Sequence, residues 1–206
     1  MAKKMAKKIV VKNDYIDKTI RAALTEGITV IVGRNGYGKS SFIHSLQSQL
    51  QKKDEAFVSW SDNEYGRGNG REMMLYNNNM EGLASMTCCS EGETMKSSFS
   101  NFFFKAAGAA IRKCIASGQK ELFFFIDQLD SGLDCHQLDY IKEIIADTIL
   151  PDLKSRNITG YFLITANSFE VAYKEDCLDP VTGKHYKFAT LEEYKDYINS
   201  QYKDEE

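Results

Sequence analysis

The sequence predicts an α/β fold with a mainly parallel sheet flanked by helices. Three runs, Ile28–Val32 (ITVIV), Leu122–Ile126 (LFFFI) and Tyr161–Thr165 (YFLIT), are apolar almost throughout, as strands buried on both faces require. Amphipathic helical stretches separate them, and alternation of strand and helix is the pattern of a parallel sheet. A glycine-rich turn joins the first of these strands to the first helix.

Taken in order, Lys8–Lys12 (KIVVK) reads as a short strand, and Tyr15–Thr25 fits either a strand or a short helix. Ile28–Val32 is the first buried strand. Ser40–Gln51 is an amphipathic helix, with Phe42, Ile43, Leu46 and Leu50 on one face. Ala56–Trp60 is a further strand. Ser61–Asn79, rich in Asn and Gly, is a loop at a strand end, where binding residues tend to gather. Met95–Ser117 is a long helix and Leu122–Ile126 the second buried strand. His136–Leu150 is a helix with Leu138, Ile141, Ile144 and Ile145 on one side, which Pro151 kinks or restarts. Tyr161–Thr165 is the third buried strand. Val181–His185 is a hairpin turn on Gly183, and Leu191–Tyr202 a closing helix. The tetrapeptide Met-Ala-Lys-Lys occurs twice in residues 1–8, and there is no other repeat.

With 206 residues, 43% of them hydrophobic and 27% charged, the chain has the balance of an ordinary globular domain able to build one sizeable core. A single domain over 1–206 is expected, with 1–8 a flexible basic tail and 177–206 a C-terminal hairpin and helix. Two prolines and 14 glycines exclude collagen-like and proline-rich chains. No apolar run approaches the roughly 20 residues needed to span a bilayer, and none follows the N-terminal lysines as a secretory signal requires. The net charge of −3 argues against a surface that grips nucleic acid all over, though not against a local basic patch. The five cysteines include no C-x-x-C pair, so no structural zinc is expected. Adjacent Cys88 and Cys89 do not suit a relaxed disulfide, and reduced thiols in a cytoplasmic protein fit best.

One motif carries chemistry. Gly33, Arg34, Asn35, Gly36, Tyr37, Gly38, Lys39 and Ser40 match G-x-x-x-x-G-K-[ST] between a buried strand and a helix. Glycines let the backbone curl so that successive N–H groups face phosphate oxygens, and the helix start adds its positive end. Lys39 supplies a point charge for the β- and γ-phosphates, and Ser40 a hydroxyl ligand for Mg²⁺. Phe123–Asp127 (FFFID) is an apolar strand ending in a carboxylate, the Walker B pattern. Asp127 would hold Mg²⁺ through water opposite Ser40.

Further along, Ser131, Gly132, Leu133 and Asp134 follow Asp127 by four residues. Ser90, Glu91, Gly92 and Glu93 lie between the two Walker motifs and open a helix; S-x-x-E is also a capping box. Ser41 doubles the hydroxyl after Lys39. Over most of Ile28–Ser168 the chain thereby resembles the ABC-class ATPases: Ser131, Gly132 and Asp134 resemble their D-loop, and Ser90, Gly92 and Glu93 their signature.

The resemblance implies a P-loop NTPase fold with a small antiparallel β portion, and Mg-ATP as ligand. It implies a head-to-tail homodimer in which Ser90 and Gly92 of one copy reach the γ-phosphate held by the other. It gives Tyr15, eighteen residues before Gly33, an adenine-stacking role, although a core tyrosine fits as well. Arg34, Asn35 and Tyr37 would touch phosphate or the partner copy. Asp62 or Asn63 would reach Mg²⁺ or its water.

The chain also departs from the class pattern. Gln128 stands where active members carry a glutamate that polarises the attacking water, and an amide accepts a proton poorly. Gln128 either belongs to the natural chain or replaces a glutamate to trap the ATP-bound dimer. Asn167 occupies the position of the usual switch histidine and would donate to the γ-phosphate. Ser90 stands only 57 residues after Gly33, which leaves little room for the helical subdomain of a transporter subunit; no heptads occur there as in the coiled-coil members. The expectation is a minimal stand-alone head, similar to small ABC-type ATP-binding proteins of bacteriophages and bacteria. It would be a slow or impaired ATPase, or else a non-hydrolysing switch or DNA-repair-type head acting on a DNA or protein partner.

Overall fold

The structure, a computed structural model, describes residues 6–13, 17–61, 91–130 and 133–203. Eight strands are described: β1 (Lys7–Asn13), β2 (Lys18–Leu24), β3 (Gly27–Ile31), β4 (Phe57–Ser61), β5 (Glu121–Asp127), β6 (Thr159–Thr165), β7 (Asp176–Leu178) and β8 (His185–Tyr186). The described α-helices are α1 (Lys39–Lys52), α2 (Glu91–Ser117), α3 (Cys135–Ile144), α4 (Leu150–Ser155), α5 (Phe169–Ala172) and α6 (Leu191–Lys203).

Six strands form one sheet in the order β4-β5-β6-β3-β7-β8. All its pairings are parallel except β7 with β8. The chain is therefore α/β with a mostly parallel sheet, as the buried runs predict. β1 and β2 make a separate antiparallel pair. Within the expected ambiguity of Tyr15–Thr25, residues 18–24 are strand, because Ile20, Ala22 and Leu24 alternate inward.

The central strands are apolar on both sides because both sides are covered. Leu122, Phe124 and Ile126 of β5 face a core with α2, α3, α4 and α6. Phe123 and Phe125 face the other core, with α1 and the β1–β2 pair. This division follows from strand order. From β3 the chain crosses to the far edge at β4, then walks back through β5 and β6 to β7. Right-handed crossovers in opposite directions put their helices on opposite faces, so α1 alone among the crossover helices lies on the β1–β2 side.

Two expectations are corrected. The basic tail does not extend through residue 8: β1 begins at Lys7, whose ammonium pairs with Glu121 and sits 5.0 Å from the centre of the Phe123 ring. The expected helix over His136–Leu150 is not uniformly α. Ile145–Ile149 is a π-helical turn, with Leu150 N–H donating to Ile145 O five residues back. Pro151, at the start of α4, supplies the reason. It has no N–H for the carbonyl four residues before it, and its ring crowds that carbonyl, so the ladder widens by one residue. The hairpin on Gly183 is present as the antiparallel β7–β8 pair.

Phe124 stacks on Phe162 at the middle of the sheet, with centroids 4.2 Å apart and both rings fully buried. Phe124→Ala should lower the unfolding free energy by about 3–5 kcal/mol, read from urea denaturation; a loss below about 1 kcal/mol would contradict the packing described.

Candidate functional site

The site forms where β3, β6 and β5 end side by side. Beyond β3 the chain leaves the sheet at Val32, whose N–H is held by Leu178 O at 3.0 Å. A turn closed by Tyr37 N–H to Arg34 O, 3.1 Å, carries it to Gly38. Gly38 has φ of 88° in the left-handed region, which a residue with a Cβ adopts only at a cost. That conformation starts α1 at Lys39. The first turn of α1 contains no acidic residue and no side-chain cap. Its leading N–H groups thus face the cavity as an anion-binding end.

Lys39 is only 8% exposed. Its Nζ donates to Gly33 O at 2.6 Å and to Arg34 O at 3.0 Å. Burial lowers its pKa to about 8, against the opposing pull of the Asp130 and Asp127 charges.

Asp127, 7% exposed at the end of β5, accepts from Ser40 Oγ at 3.1 Å and from Thr165 Oγ1. The Thr165 hydroxyl is oriented by its other bond: it accepts from Gln128 N–H at 2.8 Å, so its own proton points to Asp127. Gln128 has φ of 58°, a left-handed conformation uncommon for a residue with a side chain. Just beyond, Asp130 Oδ2 accepts from Asn167 N–H at 2.7 Å and Ser168 N–H at 2.8 Å. This ties the loop after β5 to the loop after β6. Tyr194 of α6 donates to Asn167 O at 3.0 Å, and burial pushes that phenol's pKa up, which keeps it a donor.

A cavity of about 200 Å³ opens among these groups, lined by the loop from Asn35 to Ser41 together with Gln128, Thr165 and Asn167. The groups at it, helix N–H groups, a buried ammonium and neutral amides, are ones that can bind an anion. Magnesium fits the donor set. Ser40 and Asp127 are hard oxygen donors, and this ion commonly takes one or two carboxylates and otherwise phosphates and water. Among the described residues no group of three or more His, Cys, Asp or Glu could cage a metal by itself.

The structure gathers most of the residues predicted for this site: Gly33 to Ser41 form the cradle, and Asp127, Gln128 and Asn167 border it. Gly92 and Glu93 fall in the first turn of α2. Asp134 caps α3, accepting from Gln137 N–H at 2.8 Å while the Gln137 side chain accepts from Asp134 N–H. Tyr15, Asp62, Asn63, Ser90, Ser131 and Gly132 lie outside the described residues. Sequence reasoning missed Thr165, Asp130 and Tyr194, whose partners lie 27–38 residues away. Among the described residues no helix is long and apolar enough to cross a membrane.

No known protein family matches this chain, and no curated protein was found to match it.

The buried ammonium has a measurable consequence. Between pH 8 and about 10.5 the unfolded chain holds the Lys39 proton while the folded one releases it, so stability rises with pH there. Wild type should gain on Lys39→Met over that window and hold a constant difference below pH 8, followed by urea denaturation at each pH. A difference flat from pH 7 to 11 would show that Lys39 is not desolvated.

Proposed function

We propose that this protein is an ABC-type ATP-binding head: it binds Mg-ATP in the Gly33–Ser41 cradle and pairs head to tail with a second copy across the nucleotide. One observation carries the reading. An uncapped helix start, a buried lysine and Ser40, whose hydroxyl donates to the buried Asp127, meet at one cavity at the ends of β3, β5 and β6. A generic glycine-rich turn needs neither the desolvated ammonium nor the buried carboxylate.

In this reading the N–H groups from Gly36 to Ser41 bind the phosphate chain, and Lys39 turns from its two carbonyls to the phosphates. Ser40 and Asp127 would hold magnesium, which would supply neutralisation of phosphate charge. Asn167 and Gln128 present amides to the terminal phosphate and to water. An amide orients water but does not take up its proton, so hydrolysis is slow and the bound state lasts. Ser90, Gly92 and Glu93 of the second copy would close the site with another helix start. A second reading, a nucleotide switch that does not hydrolyse, is favoured by Gln128 itself: its backbone N–H is committed to Thr165 and its side chain lacks a basic oxygen.

Mg-ATP titration by calorimetry should give saturable binding that Lys39→Met weakens at least tenfold. Light scattering should show the mass doubling with Mg-ATP, and Ser90→Arg should block doubling while sparing binding. Wild type that fails to bind Mg-ATP would end the nucleotide reading, and a monomer at saturating ATP would end the paired one. Gln128→Glu should raise phosphate release by roughly 10²–10⁴ if general-base catalysis is what the chain lacks; no rise would mark a switch.

A further inference from the structure

α6, the last of the described helices, reaches back to the site. Tyr194, Tyr197, Ile198 and Gln201 of α6 share one face, at spacings of three, four and seven residues. The two tyrosines pack into an aromatic layer, with Ile198 against the same core: Tyr197 lies 4.8 Å from Tyr186 and 5.3 Å from Phe188, and Tyr194 5.2 Å from Phe188, centre to centre. Each tyrosine also spends its hydroxyl on the site or its strand. Tyr194 donates to Asn167 O at 3.0 Å and Tyr197 to Val32 O at 3.4 Å and Asp179 Oδ2 at 3.1 Å.

Gln201 is the exception on that apolar stripe. It is 4% exposed, a place where leucine would bury area without desolvating an amide. Its Oε1 accepts from Arg34 N–H at 2.9 Å, across 167 residues of sequence. Next to it the Tyr202 ring lies 4.7 Å from the Arg34 guanidinium carbon. The carbonyl of the same Arg34 receives Tyr37 N–H and the Lys39 ammonium. When Lys39 turns to a phosphate, the Arg34 carbonyl loses one of its two donors, while the Arg34 N–H keeps its tie to α6.

We infer that Gln201 is a positioning residue for the P-loop: its side-chain carbonyl anchors the Arg34 peptide and so holds the mouth of the phosphate cradle in its binding shape. Gln201 touches no substrate; it acts through Arg34. The inference rests on the nucleotide reading above for its effect on affinity, but the anchoring itself does not.

The test uses the full chain. Gln201→Met keeps the volume and removes the acceptor. The orphaned Arg34 N–H should raise the dissociation constant for Mg-ATP roughly tenfold. In the protein without nucleotide, amide hydrogen exchange at Arg34 should accelerate at least as much, with Val30 and Ile31 unchanged. Gln201→Glu keeps an acceptor oxygen and should retain slow exchange at Arg34. Leu153→Ala, in the core away from the site, should lower the melting temperature yet leave Mg-ATP affinity within about twofold. If Gln201→Met does not fold, Gln201→Asn, one methylene too short to reach, takes its place. Wild-type affinity in the variant, or weakened affinity with Arg34 still protected, overturns the inference while the nucleotide reading stands. Wild type that does not bind Mg-ATP overturns that reading and the affinity arm with it; unchanged Arg34 exchange in the variant then overturns the anchoring too.

Discussion

The site is organised around a positive charge kept out of water. Lys39 is buried at the start of α1, where its ammonium is satisfied by two carbonyls of the loop that precedes it and is drawn on by Asp127 and Asp130. Desolvating an ammonium is unfavourable, and its depressed pKa expresses that cost. The arrangement holds because two backbone carbonyls take the ammonium's hydrogen bonds in place of water. The loop wraps it, the sheet ends beneath it, and the carboxylates that could discharge it are committed elsewhere: Asp127 to Ser40 and Thr165, Asp130 to two backbone N–H groups.

Strand order makes that grouping possible. β6 lies between β3 and β5, so a single threonine at its end connects the acidic strand to the backbone of Gln128. The reversal of direction after β4 sends α1 to one face and the returning helices to the other. Ligand sites in parallel sheets lie at the carboxyl ends of strands where such a reversal occurs. The left-handed backbone of Gln128 is stored at the same point. Its N–H bond to Thr165 and the Leu129 N–H bond to Thr165 O at 3.2 Å hold the turn in that conformation, as strained residues at functional sites require.

The C-terminal helix adds support from outside the βαβ frame. α6 is fixed at its start by Thr190 and Glu193, whose side chains exchange bonds with each other's backbone. Its aromatic face then fixes its direction over β7 and β8. The loops after β3 and after β6 are thus both held by α6, through Gln201 at Arg34 and Tyr194 at Asn167.

The sequence by itself determined the three buried central strands, because β-branched and aromatic runs almost without polar interruption have few other destinations. It determined the cradle, because glycine spacing before Lys39 dictates local backbone shape, and it marked Asp127 by the polar end of an apolar strand. The length of the N-terminal tail and the π-turn before Pro151 escaped it, one decided by a cross-sheet ion pair and the other by how a proline inside a packed helix is accommodated. The tertiary structure alone decided that Thr165, Asp130, Tyr194 and Gln201 belong to the site. Each is an ordinary residue in its own segment, and its role depends on a hydrogen-bond partner that only the folded sheet and the returning helix bring within 3 Å or so.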